Sequence, residues 1–199
     1  MPISYDQLAA LIAATSFAAG LNVYATIATL GLLARAQVLA LPPSLHLVES
    51  WPVIVICGVM FVIEFFADKI PAFDLIWNAL HTFVRVPVAA LLAYGAAANL
   101  PPVAQALSAA AGGAIALAAH GGKTAARAAV TPSPEPFSNM ALSVSEDVVA
   151  IGLTWFATRH PMLAGAIVVV FLLGIAFMIR LVIRAMRRLF RGAERAVAG

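Results

Sequence analysis

Residues 64–85, EFFADKIPAFDLIWNALHTFVR, place Glu64, Asp68, Lys69, Asp74, His81 and Arg85 close together in a chain with only 11% charged residues. Carboxylates can bind or exchange a cation, and an arginine can neutralise them when the site is empty. A histidine titrates near physiological pH and can serve as a proton partner. On a helix, Asp74, Asn78, His81 and Arg85 fall at i, i+4, i+7 and i+11 and share one stripe, while Phe73, Trp77, Leu80 and Val84 take the other faces. Glu64 and Asp68 are i and i+4 on the preceding helix. Two antiparallel helices would therefore present carboxylates to an arginine and a histidine. Two blander arrangements use the same residues: an interfacial helix whose polar stripe faces water, or a salt-bridge lattice that only holds helices together.

A second polar group lies further on. Ser143 and Glu146 fit a capping box that would open a short helix at Val144, and a half-helix starting below the membrane surface would offer an anion site. His120, Lys123 and Arg127 sit in HGGKTAAR, where a phosphate could be held. Glu135 rides on TPSPEPFSN, residues 131–139, whose alternating prolines favour an extended loop or a re-entrant segment. In GLNVYAT, residues 20–26, Gly20 permits close approach or a break, and Asn22, Tyr24 and Thr26 supply hydrogen-bonding groups.

The elements that carry these residues are membrane helices. With 63% hydrophobic residues and a mean hydropathy of +0.98, against roughly 25% charged residues in soluble domains, the chain belongs in a bilayer. Apolar segments near 8–34, 51–68, 76–98, 103–120, 138–158 and 161–183 predict about six spans. They would form a single domain over 1–183, with a basic cytoplasmic tail over 184–199. Prolines 42, 43, 71, 101, 102, 132, 134 and 136 punctuate the connections, and Pro161 opens the last segment.

Two of these segments are too short. Only eleven residues separate Pro87 from Asn99, and eleven separate Asp147 from Arg159, where a span needs about 20. The third helix must extend back through Arg85 and His81, and the fifth through Asp147 and Glu146. Both extensions carry ionisable groups to membrane depth, where charge is costly unless paired or facing water.

Ser4 and Gln7 fit a capping box, and the first fourteen residues carry Asp6 but no basic cluster, so a cleaved leader is not expected. The single Cys57 sits in an apolar run, which excludes an internal disulfide and a cysteine metal cage. Lys69, Arg85, Lys123, Arg127 and the arginines from Arg180 to Arg195 outweigh Arg35 and Arg159, which predicts both termini in the cytoplasm. Arg180, Arg184, Arg187, Arg188, Arg191 and Arg195 recur mostly three or four apart and would face anionic lipid headgroups. Residues 16–34 and 109–130 are both small-residue segments with glycines, each followed by two spans, as in an inverted repeat of three plus three.

No HExxH, GxSxG, Walker or Cys/His metal signature is present, and nucleic acid is not an expected partner. At GLNVYAT, ADKIPAFDLIWNALHTFVR, and SPEPFSN with the following Glu146-Asp147, the chain resembles domain-of-unknown-function family 4126, small bacterial integral-membrane proteins. The likeness covers nearly the whole chain. It implies a compact multi-span membrane protein and carries over no catalytic or binding residue.

The expectation is therefore an all-α polytopic helix bundle in the bacterial inner membrane, with some helices broken or re-entrant. It would be a transporter or permease-like protein for an ion or small solute. Asn22, Glu64, Asp68, His81, Arg85, Glu146 and Asp147 would form its site, with Asp74, His120, Lys123, Arg127 and Glu135 as secondary candidates. No metal or cofactor is expected. The alternatives are a membrane enzyme acting on lipid-linked or phosphorylated substrates, with His81, His120 and the acids as acid-base groups, and a non-catalytic scaffold. Small-residue helix faces make a homodimer plausible.

Overall fold

The computed structural model describes residues 4–68, 71–130 and 136–198, with side chains described at 4–68, 76–127, 140–181, 183, 184 and 187. Its elements are α1 (Tyr5–Leu21), α2 (Val23–Arg35), a 3-10 segment (Pro43–Glu49), α3 (Trp51–Ala67), α4 (Pro71–Ala96), α5 (Pro102–Val130), α6 (Pro136–Arg159) and α7 (Pro161–Ala198). There is no strand among the described residues. The helices form as the sequence requires: Gln7 Oε1 accepts from Ser4 N at 3.1 Å to cap α1, and Pro71, Pro102, Pro136 and Pro161 each occupy a first helical position, where their missing N–H costs nothing. As the short apolar runs demanded, α4 and α6 extend back through Arg85 and Asp147.

α1 and α2 do not make one span. Leu8 and Ile12 pack with Ala93, Ala97 and Leu100 at the end of α4, and Ala10 meets Gly165 near the start of α7. Further along, Ser16 lies against Gly112, and Gly20 against Ala116, so α1 runs parallel to α5. α2 then returns. Val23 lies with Ala89 and Ala116, Leu30 with Val48 and Leu92, and Arg35 donates to the Glu49 carbonyl at 3.2 Å and covers the Trp51 ring at 4.5 Å. Residues 5–35 are thus a re-entrant helical hairpin, with its tip at Asn22 and both ends on one face of the bundle.

Such a hairpin needs close contact and burial on all sides, because in lipid its broken backbone would be unsatisfied. α1 has both: every residue from Ala14 to Leu21 is buried. Gly20 permits the approach to α5, since a Cβ there would meet Ala116 Cα at 2.8 Å as well as the Ala116 carbonyl. Phe17 stacks on Phe171 of α7 at 5.4 Å. By contrast Leu80, Phe83, Leu91 and Leu173 are 61–81% exposed, the pattern of side chains that face acyl chains.

The hairpin changes the topology. Among the described residues four helices are long and apolar enough to cross a membrane, or up to five if α3 and the 3-10 segment, bent by 59°, count as one span. The sixth span expected over 8–34 is not established, since that segment is broken at Asn22 into two shorter helices. α1 begins at the face where α7 begins, and α7 runs away from it, so the two termini lie at opposite faces. This arrangement gives no support to the expectation that both termini share one side. Nor does it support the likeness of 16–34 to 109–130: the first segment is broken, whereas α5 runs unbroken through Gly112, Gly113, Gly121 and Gly122, and the inverted repeat is not established. Residues 184–198 continue α7 as one helix.

Candidate functional site

The break at Asn22 explains what gathers around it. Asn22 adopts an extended conformation, φ −148° and ψ 102°, which ends α1 and starts α2. Its Oδ1 accepts from Ala25 N at 2.9 Å, the amide that a continuous helix would have aimed at the Leu21 carbonyl. That carbonyl accepts instead from Lys123 Nζ at 3.3 Å. Asn22 Nδ2 donates to Asp147 Oδ1 at 2.9 Å. The negative end of α1 thus meets an ammonium and the positive end of α2 meets a carboxylate, each favourable for the helix dipole.

Asn22 lies thirteen positions from Arg35 and Glu64 thirteen from Trp51, while Arg85 lies eleven positions from Ala96 and Asp147 twelve from Arg159. At a rise of 1.5 Å per residue these groups lie about 17–20 Å from the N-terminal face, within a hydrocarbon core of about 30 Å. Around them Glu64, Arg85, Asp68, Lys123, Arg127, Asp147 and Glu146 are all at most 9% exposed. Arg85 Nη2 pairs with Glu64 Oε1. Lys123 Nζ lies 3.6 Å from Glu64, 3.4 Å from Asp68 and 3.3 Å from Glu146. Arg127 Nη2 donates at 2.6 Å to both Asp68 Oδ2 and Glu146 Oε2, and Ser143 Oγ donates to Asp68 Oδ2 at 3.3 Å.

Two histidines border the cluster with their nitrogens in defined roles. Arginine can only donate, so the 2.7 Å contact from Arg85 Nη1 makes His120 Nδ1 an acceptor. His120 Nε2–H then donates to Thr82 Oγ1 at 2.7 Å, and Thr82 donates to the Asn78 carbonyl at 3.1 Å. His81 Nδ1–H donates to the Trp77 carbonyl at 2.8 Å, and in the neutral ring Nε2 accepts from the Tyr24 hydroxyl at 2.9 Å. Neither histidine has a hydrogen bond to a carboxylate among the described residues.

The charge balance is uneven. Among the described side chains four carboxylates, Glu64, Asp68, Glu146 and Asp147, face three cations, Arg85, Lys123 and Arg127, and every one of these carboxylates except Asp147 has an ion pair. Asp147 Oδ2, Glu64 Oε2, Arg85 Nε and Ser16 Oγ are buried without a hydrogen-bond partner. The α2 dipole contributes about 0.3–2 kcal/mol to an anion at Asp147, less than the several kcal/mol that burying an unpaired ion costs. An ionised Asp147 therefore has no ion pair of its own among the described residues, and the cluster can accept one positive charge.

A family model described as "Domain of unknown function (DUF4126)" matches residues 9–181. The chain belongs to this family. The match takes in the hairpin tip, the whole cluster and α7 as far as Leu181. No curated protein and no solved structure matches the chain. The family assignment therefore supports a helical membrane protein, and the chemistry must be argued from geometry.

Of the residues singled out by sequence, Asn22, Glu64, Asp68, Arg85, Glu146 and Asp147 converge, and His81 borders them through Tyr24. Lys123 and Arg127, secondary candidates, are integral to the cluster, and His120, another, borders it through Arg85. Arg85, Lys123 and Arg127 are buried partners of carboxylates, not basic loop residues that report orientation. The stripe Asn78, His81, Arg85 faces the interior, so α4 is no interfacial helix; Asp74, Lys69 and Glu135 lie outside the described side chains.

Ser143 does not cap a helix at Val144, because α6 already begins at Pro136. For the same reason residues 136–139 are helical and not extended, while 131–135 lie outside the described residues. The half-helix N-terminus expected there occurs instead at Asn22. Ser16 and Thr82 were missed; Thr82 carried a signal, being four residues from Asn78 in the predicted stripe. No group of three His, Cys, Asp or Glu side chains suited to a metal occurs among the described residues.

Proposed function

We propose that this protein is a small membrane transporter, permease-like, that moves an ion or small solute past the tip of the hairpin. The observation that carries the proposal is the junction of Asn22 with Asp147 and Lys123. A helix break inside the membrane is joined there to a buried charged cluster that has one carboxylate in excess. Discontinuous helices whose ends meet coupling ions near the midplane are a recurring construction of secondary transporters. Asn22 and Asp147 form the exchange position. Glu64, Asp68 and Glu146, with Arg85, Lys123 and Arg127, form the frame that holds it and balances charge.

A static lattice is the competing reading, favoured by the ion pairs that occupy three of the four carboxylates. Water access separates the two. In a Cys57→Ser background, Ser16→Cys and Ser143→Cys place near-isosteric thiols at the hairpin and beside Asp68. Modification by a membrane-impermeant thiol reagent supports a transport pathway. Thiols closed from both sides, in protein shown to be folded, would leave the lattice.

For orientation, the arginines of the α7 tail and Lys69 lie towards the C-terminal face in sequence, against Arg35 and Arg159 on the other. This distribution supports a cytoplasmic C-terminus in a bacterial inner membrane, with the hairpin entered from outside. The exposed arginines 180, 184 and 187 then lie at the level of anionic headgroups.

A further inference from the structure

We infer that Asp147 is a proton-binding site: its carboxyl carries a proton in the state described here and releases it when the hairpin tip moves. This deepens the transport proposal by naming the coupled ion, and it rests on that proposal only for the purpose of the proton, not for its binding.

Asp147 is 5% exposed. Its Oδ1 accepts from Asn22 Nδ2, and its Oδ2 has no partner. Among the described side chains, the charged groups that adjoin Asp147 are already engaged. On α5, Lys123 is held by Glu64, Asp68, Glu146 and the Leu21 carbonyl, and Arg127 by Asp68 and Glu146. On α3, Glu64 and Asp68 add negative charge, as does Glu146 on α6 itself. Nearby on α2 stands Tyr24, bonded to His81; α1 contributes no ionisable side chain beyond its first turn, and α7 none before Arg180.

A buried carboxylate without a counter-charge takes up a proton or a cation. A metal cation needs several oxygen ligands, and no group of three or more His, Cys, Asp or Glu side chains suited to one occurs among the described residues. A proton needs one oxygen. Hydronium delivers it to Oδ2, forming the O–H bond and leaving water, while Oδ1 keeps the bond from Asn22. Release reverses the step once Asn22 and Lys123 change position and water reaches Oδ2.

Infrared spectroscopy of the purified protein in lipid tests binding directly. The wild type should show a protonated carboxyl C=O band at neutral pH that is absent from Asp147→Asn. Asn22→Ala should shift the band, because Oδ1 loses its donor, and this reading stands if Asp147→Asn fails to fold. A wild type without the band, a band unchanged in both variants, or a band abolished by sodium ions would overturn the inference. Proton flux into proteoliposomes tests the transport proposal separately: a band at Asp147 without flux removes transport and keeps the proton site, whereas flux undiminished by a folded Asp147→Asn variant removes Asp147 from the pathway.

Discussion

Lys123 Nζ lies 3.3 Å from the carbonyl oxygen of Leu21, the group that the break at Asn22 deprives of its helical amide. The same ammonium lies within 3.6 Å of three carboxylates on α3 and α6. One side chain thus satisfies the broken backbone and helps to neutralise Glu64, Asp68 and Glu146 together. Replacing it with methionine should destabilise the fold by about 3–5 kcal/mol, as expected when one partner of a buried ionic group is removed. Thermal unfolding in detergent checks this; a variant as stable as the wild type would show that Lys123 contributes nothing net.

Glu64 and Arg85 are both fully buried and paired. Glu64→Leu or Arg85→Met alone should each cost about 3–5 kcal/mol, whereas the double variant should recover most of the loss, because it removes both charges instead of stranding one. A double-mutant cycle on unfolding free energy measures the difference. Additive losses would mean that Arg85 serves chiefly His120 and Asn78, whose Oδ1 accepts from Arg85 Nη1 at 3.2 Å.

Asn22→Ala removes an N-cap, at about 0.5–2 kcal/mol, and leaves Asp147 Oδ1 without its donor at about 1–3 kcal/mol more. Asn22→Asp keeps the cap but sets a second acidic group beside Asp147. If capping were the only role of Asn22, the aspartate would be harmless; the expected outcome is a loss of stability at neutral pH that is relieved by acid.

Gly20 approaches the α5 backbone at Ala116. Gly20→Val should cost about 1–3 kcal/mol or more through overpacking, and should expose the hairpin to proteolysis from the N-terminal face. Gly58, with nothing within 4 Å of a built Cβ, is the control and should tolerate alanine.

The termini should report from opposite sides of the membrane. Impermeant labelling of tags at residue 1 and residue 199 tests this; both tags labelled from one side would refute the hairpin.

The sequence alone determined the membrane class, the helical fold and the need for charge at depth. Eleven-residue apolar runs beside Pro87 and before Arg159 are too short to cross, and α4 and α6 are indeed continued through Arg85 and Asp147. It also picked out most residues of the cluster, because ionisable side chains in so apolar a chain are few. It did not show that residues 8–34 turn back. A buried hairpin and a spanning helix have the same apolar composition, and only contacts with Ala97, Gly165 and Val48 show that both ends lie on one face. Nor did it place Lys123 and Arg127, since partnership among charges from α3, α5 and α6 depends on which helices adjoin. Burial and pairing are properties of the assembled bundle, and these decided that Asp147 alone among the four carboxylates has no counter-charge.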